Sequence, residues 1–278
     1  MFKMKGKIVF VKLEAAGNDF ILIDNCLYRI NSKDRLGDLA RQMCGRKFGI
    51  GADGLLVKER SQAADVRMRI FNSDGSEAQM CGNGARCFAY NFFSRIKTKK
   101  DLFVTLETKA GLVKAQVSGD RVRINITAPR DLKLDIPLIV GGRAIKSNFI
   151  NTGVPHAVIF VQGLDKIDVN VLGREIRYHR CFAPAGANVD FVEVLNRDTI
   201  QIRTYERGVE AETLACGTGS IAAALIASLK IKEEINKIKV HTAGGEILKV
   251  DFEHNRSGFK DVWLEGKVRL VYKGEYYV

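Results

Sequence analysis

Cys81-Gly82-Asn83-Gly84-Ala85 and Cys216-Gly217-Thr218-Gly219-Ser220 set two cysteines in the same local frame. Cysteine and both glycines recur at a common offset of 135 residues, and Glu77 and Glu212 each stand four residues before the cysteine. Each quintet leads into a run that reads as a helix, so each thiol is expected at a helix N-terminus. There a thiol's pKa falls and backbone N–H groups bind anions. One reactive cysteine points to a nucleophile. Two in matching settings point to a pair of acid/base groups facing one substrate atom.

The likeness extends outward. Asn18-Asp19-Phe20 leads the apolar run Ile21-Leu22-Ile23, and Asn188-Val189-Asp190-Phe191 leads Val192-Glu193-Val194. Gly111-Leu112-Val113-Lys114-Ala115 is echoed by Gly244-Gly245-Glu246-Ile247-Leu248-Lys249-Val250. The period is too long for a solenoid and reads as a duplicated domain. A chain of 278 residues holds two domains, each able to bury a core. The expected boundaries are 1–130 and 131–267, with a last strand at 268–278 returning to the first domain. The seam is expected between Ala128-Pro129 and Gly141-Gly142, where Pro and Gly punctuate the chain.

Short alternating runs predict strands in both halves, among them Val66 to Phe71, Phe103 to Glu107, Val189 to Val194 and Ile200 to Tyr205. Asp34 to Cys44 and Ile167 to His179 read as outer amphipathic helices. The run Ile221-Ala222-Ala223-Ala224-Leu225-Ile226-Ala227 has no polar face, and a helix apolar all round is buried on all sides. The expected fold is therefore α/β (α+β): two pseudo-symmetric domains, each a curved, mostly antiparallel sheet wrapped around a central helix. The cysteines then stand at the rims, and the active site lies in the interdomain cleft.

Composition removes other classes. No apolar run approaches the ~20 residues of a membrane span, and no signal peptide opens the chain, so a cytoplasmic protein with reduced cysteines is expected. Cysteine and histidine spacings fit no metal site. The net charge of +12 is spread out, with Lys97, Lys99 and Lys100 its nearest approach to a cluster. It reads as a solvated surface able to attract an acidic small molecule, not as a nucleic-acid site. Cys26, Cys44, Cys87 and Cys181 read as small inert hydrophobes. Glu77 and Glu212 read as structural, as ligands for backbone N–H groups on the approach to each helix.

Longer motifs join these: Gly17-Asn18-Asp19-Phe20, Phe71-Asn72-Ser73-Asp74-Gly75-Ser76-Glu77, Pro155-His156, Asn188-Val189-Asp190-Phe191, Tyr205-Glu206-Arg207-Gly208 and Ala215-Cys216-Gly217-Thr218-Gly219. With them the chain resembles the diaminopimelate epimerase family, among the cofactor-independent amino-acid racemases and epimerases, over nearly its whole length. The resemblance implies a homodimer, no cofactor, and interconversion of LL- and meso-diaminopimelate for lysine and peptidoglycan synthesis.

Epimerisation removes a weakly acidic α-proton and returns one to the opposite face. A thiolate and a thiol on opposite faces do this without turning the substrate, and a thiol's reference pKa of about 8.5 lets modest tuning set either form. The resemblance makes Cys216 the base towards the LL isomer and Cys81 the acid. It makes Gly82, Asn83, Gly217 and Thr218 the cradle of the α-carboxylate, through N–H groups at two helix N-termini. It gives His156 and Glu206 the tuning of the thiols. It gives the substrate's distal end to Asn18, Asn72, Asn188 and Arg207, whose amides and guanidinium suit a zwitterion, and it makes Glu206 a substrate contact as well. Two departures stand out: Val154 where the family often has Asn, and Gly51-Ala52-Asp53-Gly54 where a Gln often follows the Asp. They leave a related racemase for another amino acid as the alternative. Thiols that flank one carbon are expected to join as a Cys81–Cys216 disulfide on oxidation.

Overall fold

The computed structural model describes residues 6–94, 96, 100–231, 235–256 and 258–278. Lys97 and Lys99 of the basic cluster lie outside the described residues. The chain forms two compact units, Met1–Ile124 with Gly266–Val278, and Asn125–Glu265.

In the first unit, β1 (Lys7–Ala15) and β2 (Asn18–Asp24) form a hairpin, followed by α1 (Asn25–Tyr28) and α2 (Lys33–Cys44). Then come β3 (Gly54–Glu59), β4 (Val66–Asn72), the short β5 (Glu77–Ala78), α3 (Gly82–Phe92), β6 (Leu102–Thr108), β7 (Gly111–Ser118) and β8 (Arg121–Asn125). The second unit runs through β9 (Arg130–Val140), β10 (Arg143–Asn151), β11 (Pro155–Phe160), α4 (Val169–Arg177), β12 (Asn188–Asn196), β13 (Thr199–Glu206) and the short β14 (Ala211–Thr213). It continues with α5 (Gly217–Lys230), β15 (Lys237–His241), β16 (Ile247–Asn255) and β17 (Gly258–Lys267). The last strand, β18 (Arg269–Tyr277), pairs antiparallel with β1.

Strand pairing makes the duplication explicit. The first sheet reads β18-β1-β2-β3-β4-β6-β7-β8, with β2–β3 and β4–β6 parallel and every other neighbouring pair antiparallel. The second reads β9-β10-β11-β12-β13-β15-β16-β17, with β11–β12 and β13–β15 parallel and the rest antiparallel. The two patterns are the same, and β18 takes the place in the first unit that β9 takes in the second. Parallel neighbours need a crossover. The outer helices α2 and α4 supply the first in each unit, and α3 and α5 the second. These are pseudo-symmetric, sheet-rich α/β domains.

Each cysteine-led helix lies at the centre of its unit. α5 packs against β10, β11, β12, β13, β15 and β16, and Gly219 through Ala227 are all buried. α3 packs against β1, β2, β4, β6 and β7 with Asn83 to Ala89 buried, including a fully buried Arg86. The stretch expected to be a Pro/Gly seam is instead the eleven-residue β9. Leu132, Leu134, Ile136, Leu138 and Val140 alternate as a strand requires, but Pro137 inside the run and the Pro and Gly that flank it read as punctuation. Among the described residues no helix is long and apolar enough to cross a membrane.

Candidate active site

Cys81 is the N-cap of α3, in extended backbone, and its sulfur accepts the Gly84 N–H at 3.5 Å. Beside it the Asn83 side chain is buried and fixed at both ends. Its Nδ2 donates to Asn18 Oδ1 at 2.6 Å, and its Oδ1 accepts from Arg86 Nη2 at 2.7 Å. Asn18 in turn donates to Asp53 Oδ2 at 3.1 Å. Arg46 bridges Asp53 and Asp19, and the buried Lys12 also binds Asp19. Burial opposes ionisation of Asp19, yet Lys12 and Arg46 hold its carboxyl below the usual range. Asn72 stands exposed at the end of β4 and donates to Ser76 Oγ at 2.9 Å, so it is tied to its own turn. Leu56 and Ile70 lie under the first turn of α3; a methyl built on Gly84 would come 3.1 Å from the first and 3.3 Å from the second.

Cys216 is the N-cap of α5, and at 7% exposure it is buried. Its sulfur lies 3.3 Å from Thr218 Oγ1 and 3.9 Å from Asn188 Nδ2. Thr152 Oγ1 donates to Thr218 O at 3.0 Å, which steadies this turn. Asn188 Oδ1 accepts the Arg207 N–H at 2.8 Å, and its Nδ2 lies 3.5 Å from His156 Nε2. His156 Nδ1 is 2.7 Å from Asp190 Oδ2, and Asp190 Oδ1 accepts from Thr204 Oγ1 at 2.8 Å. His156 and Asp190 are both fully buried. The Arg207 guanidinium has no ion-pair or hydrogen-bond partner among the described residues and is free to meet a carboxylate.

A helix N-terminus by itself predicts an acidified thiol. Cys216 goes the other way. Burial pushes its thiol well above the ordinary value, the Glu206 and Asp190 carboxylates add to the rise, and the Thr218 hydroxyl and Gly219 N–H only partly offset it. Burial also raises the Glu206 carboxyl. The free half-site therefore favours sulfur with its proton on.

Register places the halves in correspondence. Glu77 pairs with Phe71 as Glu212 does with Tyr205, Gly54 faces Asn72, and Val189 faces Tyr205. Followed across both parallel pairs, this sets Asn72 against Glu206, Gly54 against Asn188, Leu56 against Asp190, Ile70 against Thr204, Phe20 against His156 and Asn18 against Val154. Asn18 and Asn188 are thus not counterparts, and their matched sequence surroundings mislead. Among the described residues, Glu77 and Glu212 bind no backbone N–H group of the helix approach. They accept from Arg69 Nε and Arg203 Nε, each at 2.7 Å, and so clamp the hairpin that leads to each cysteine. Cys44 and Cys87 are buried, and burial raises the Cys44 thiol to about 12. Cys181 is exposed instead of packed, because its turn buries Phe182. Asp190, Thr204 and Thr152 were not singled out by sequence. A carboxylate inside the uniformly buried run Asn188 to Val192 was the available signal, since such a group is costly without partners.

A family model for diaminopimelate epimerase matches residues 10–130 and 148–271. The diaminopimelate epimerase of Aquifex aeolicus (strain VF5) is 42% identical over 275 residues, 95% of this chain and 96% of that one. That of Archaeoglobus fulgidus is 43% identical over 280 residues, 96% of each. Among solved structures, a Bacillus anthracis phenazine biosynthesis protein of the PhzF family superposes with a TM-score of 0.77 at 17% identity, covering 98% of this chain and 100% of that one. A hydroxyproline epimerase from Agrobacterium vitis gives 0.71 at 16% identity, covering 100% and 94%. Those two likenesses speak for the fold. The sequence matches decide the family: the chain belongs to the diaminopimelate epimerases.

Proposed function

We propose that the chain carries out its family's reaction, the interconversion of LL- and meso-diaminopimelate, with Cys81 and Cys216 as the two acid/base groups. The observation that carries this reading is the equivalence of two N-cap cysteines in two units of one topology. One thiolate takes the α-proton from one face while the opposite thiol delivers its own to the other. Cys216 acts as base towards the LL isomer and Cys81 as acid, and the roles reverse for the meso isomer.

Charge builds on the α-carboxylate as the proton leaves. The N–H groups of Gly82, Asn83, Gly217 and Thr218 meet that charge, at helix starts where the backbone already carries partial positive charge. An α-ammonium arriving beside Cys216 favours its thiolate and counters the burial that otherwise keeps the proton on sulfur. His156 and Glu206 set the electrostatics around Cys216. Asn18, Asn72, Asn188 and Arg207 hold the distal amino-acid end. The proposal includes a homodimer in the cytoplasm that needs no cofactor.

The test is proton NMR of LL-diaminopimelate in deuterated water with purified protein and no added cofactor. Loss of the α-proton signal with appearance of the meso isomer is expected. Cys81→Ser and Cys216→Ser are each expected to lower epimerisation by about a thousandfold or more, because a serine hydroxyl is a far weaker acid than a thiol. Wild-type epimerisation by either variant would overturn the two-thiol reading.

A further inference from the structure

We propose that Asp190 is a positioning residue of the Cys216 half-site, acting through His156 and Asn188. This rests on the reading of Cys216 as an acid/base group.

The duplication supplies an internal control. The fold closes the floor under α3 with Leu56 and Ile70. At the same register positions under α5 it carries Asp190 and Thr204. A buried carboxylate is therefore not needed to build this floor, and it costs free energy that a leucine does not. Its bonds show what it is used for. The Arg207 N–H fixes the orientation of the Asn188 amide, with Oδ1 accepting, so Nδ2 must face the other way. Nδ2 meets both Cys216 Sγ and His156 Nε2. Two donors do not share a hydrogen bond, so Nε2 is an acceptor there and the ring proton sits on Nδ1, where Asp190 receives it. Thr204 holds the other carboxylate oxygen and fixes its rotation.

Without Asp190 to receive Nδ1–H, the ring is free to carry its proton on Nε2. That proton would point at Asn188 Nδ2 and push the amide away from Cys216. The groups around Cys216 are Asp190 and Asn188 on β12, Glu206 on β13, and Thr218 with the Gly219 N–H on α5, and His156 on β11 reaches it through Asn188. Asp190 is the one that ties the histidine to a single tautomer.

Asp190→Asn keeps the shape and removes the charge. Side-chain ¹⁵N NMR reads the tautomer directly. The chain has only 4 histidines, and loss of one signal in His156→Gln assigns it. Wild type is expected to show His156 protonated on Nδ1 alone, and Asp190→Asn a mixture of tautomers. The same variant is expected to lose roughly tenfold or more in kcat with KM little changed, as when the outer partner of a functional histidine is removed. A wild-type His156 protonated on Nε2 would overturn the proposal. So would an Asp190→Asn protein with both tautomer and kcat unchanged. If that variant does not fold, Thr204→Val leaves the carboxylate in place and takes away one of its bonds. A smaller change in the same direction supports the proposal, and no change in either readout defeats it. The tautomer needs no substrate, so a wild type inactive on diaminopimelate would sink the proposed reaction while the NMR still decides on Asp190.

Discussion

Leu56 and Ile70 lie beneath the first turn of α3, while Asp190 and Thr204 occupy the same places beneath α5. Backbone topology, helix cap and cysteine are shared by the two units, and the floors are not. One half closes the floor under its helix with hydrocarbon, and its Lys12, Asp19, Arg46 and Asp53 form a separate charged network. The other puts a carboxylate in that floor, bonded to a buried imidazole. The lesson is that duplication supplied the geometry and divergence of buried side chains supplied the difference in electrostatics. The proposed two-base reaction needs both, because in it one thiol begins ionised and the other protonated.

The largest expected difference comes from adding one methyl to each half. At Gly84 a Cβ meets Leu56 and Ile70 at 3.1 and 3.3 Å, and flexible aliphatic ends give way by a few tenths of an ångström. At Gly219 it collides with Asp190 Oδ1 and stands 3.2 Å from Asp190 Cγ, and that carboxylate is bonded on both oxygens. Gly219→Ala is therefore expected to cost about 1–3 kcal/mol of stability and to lower kcat by roughly a hundredfold. Gly84→Ala is expected to cost less than about 1 kcal/mol. Thermal melts and steady-state kinetics of the pair decide. Equal losses would mean that the two floors do not differ as drawn.

That contrast was only partly legible in the sequence. The repeated Cys-Gly-x-Gly motif exposed the duplication and both helix starts, because a cap and its close-approach glycines are local features. The apolar run after Ser220 marked α5 as buried, and the structure buries it throughout. Register was beyond reach. Asn18 and Asn188 lie in similar sequence yet begin strands that are not equivalent, since parallel pairing across a helical crossover leaves no sequence mark. β9 was missed although its apolar residues alternate, because Pro137 and the flanking Pro129 and Gly141-Gly142 were read as loop punctuation. Val154 was noted as a lost amide; register adds that it is the counterpart of Asn18, so the half with the buried histidine is the one that lacks it.

The arginine clamps test the shared part of the comparison. Arg69 and Arg203 hold Glu77 and Glu212 at the same distance, and both pairs are largely buried. Arg69→Ala and Arg203→Ala are each expected to destabilise by about 1–3 kcal/mol, because each leaves a shielded carboxylate short of a partner. Lysine should restore less at 203 than at 69. Arg203 grips both Glu212 oxygens and two loop carbonyls, at Leu164 and Ile167, and lysine lacks that fork. Denaturant melts of the four variants measure this. Full rescue by lysine at both sites would show that charge alone matters.

The smallest effect is a shift in a titration, and it isolates the electrostatic part. Burial is the largest cause of the raised Cys216 thiol, Glu206 the next and Asp190 after it. A raised thiol is protonated over a wider range, so its alkylation is slow near neutrality and quickens only as pH rises. Glu206→Gln removes one negative neighbour and leaves the burial, so the curve should move to lower pH without becoming ordinary. Glu206 is itself raised by burial, so its influence is felt only above its own titration, and the two curves should converge at the acid end. Mass spectrometry of iodoacetamide-labelled peptides follows Cys216, Cys81 and Cys44 in one sample. At the register position of Glu206 the first unit carries Asn72. Buried Cys44, whose thiol burial raises to about 12, lies in the other unit and serves as the reference peptide. A Glu206→Gln curve for Cys216 that lies on the wild-type curve would mean that burial alone sets this thiol, and that the carboxylates of the second half do not tune it.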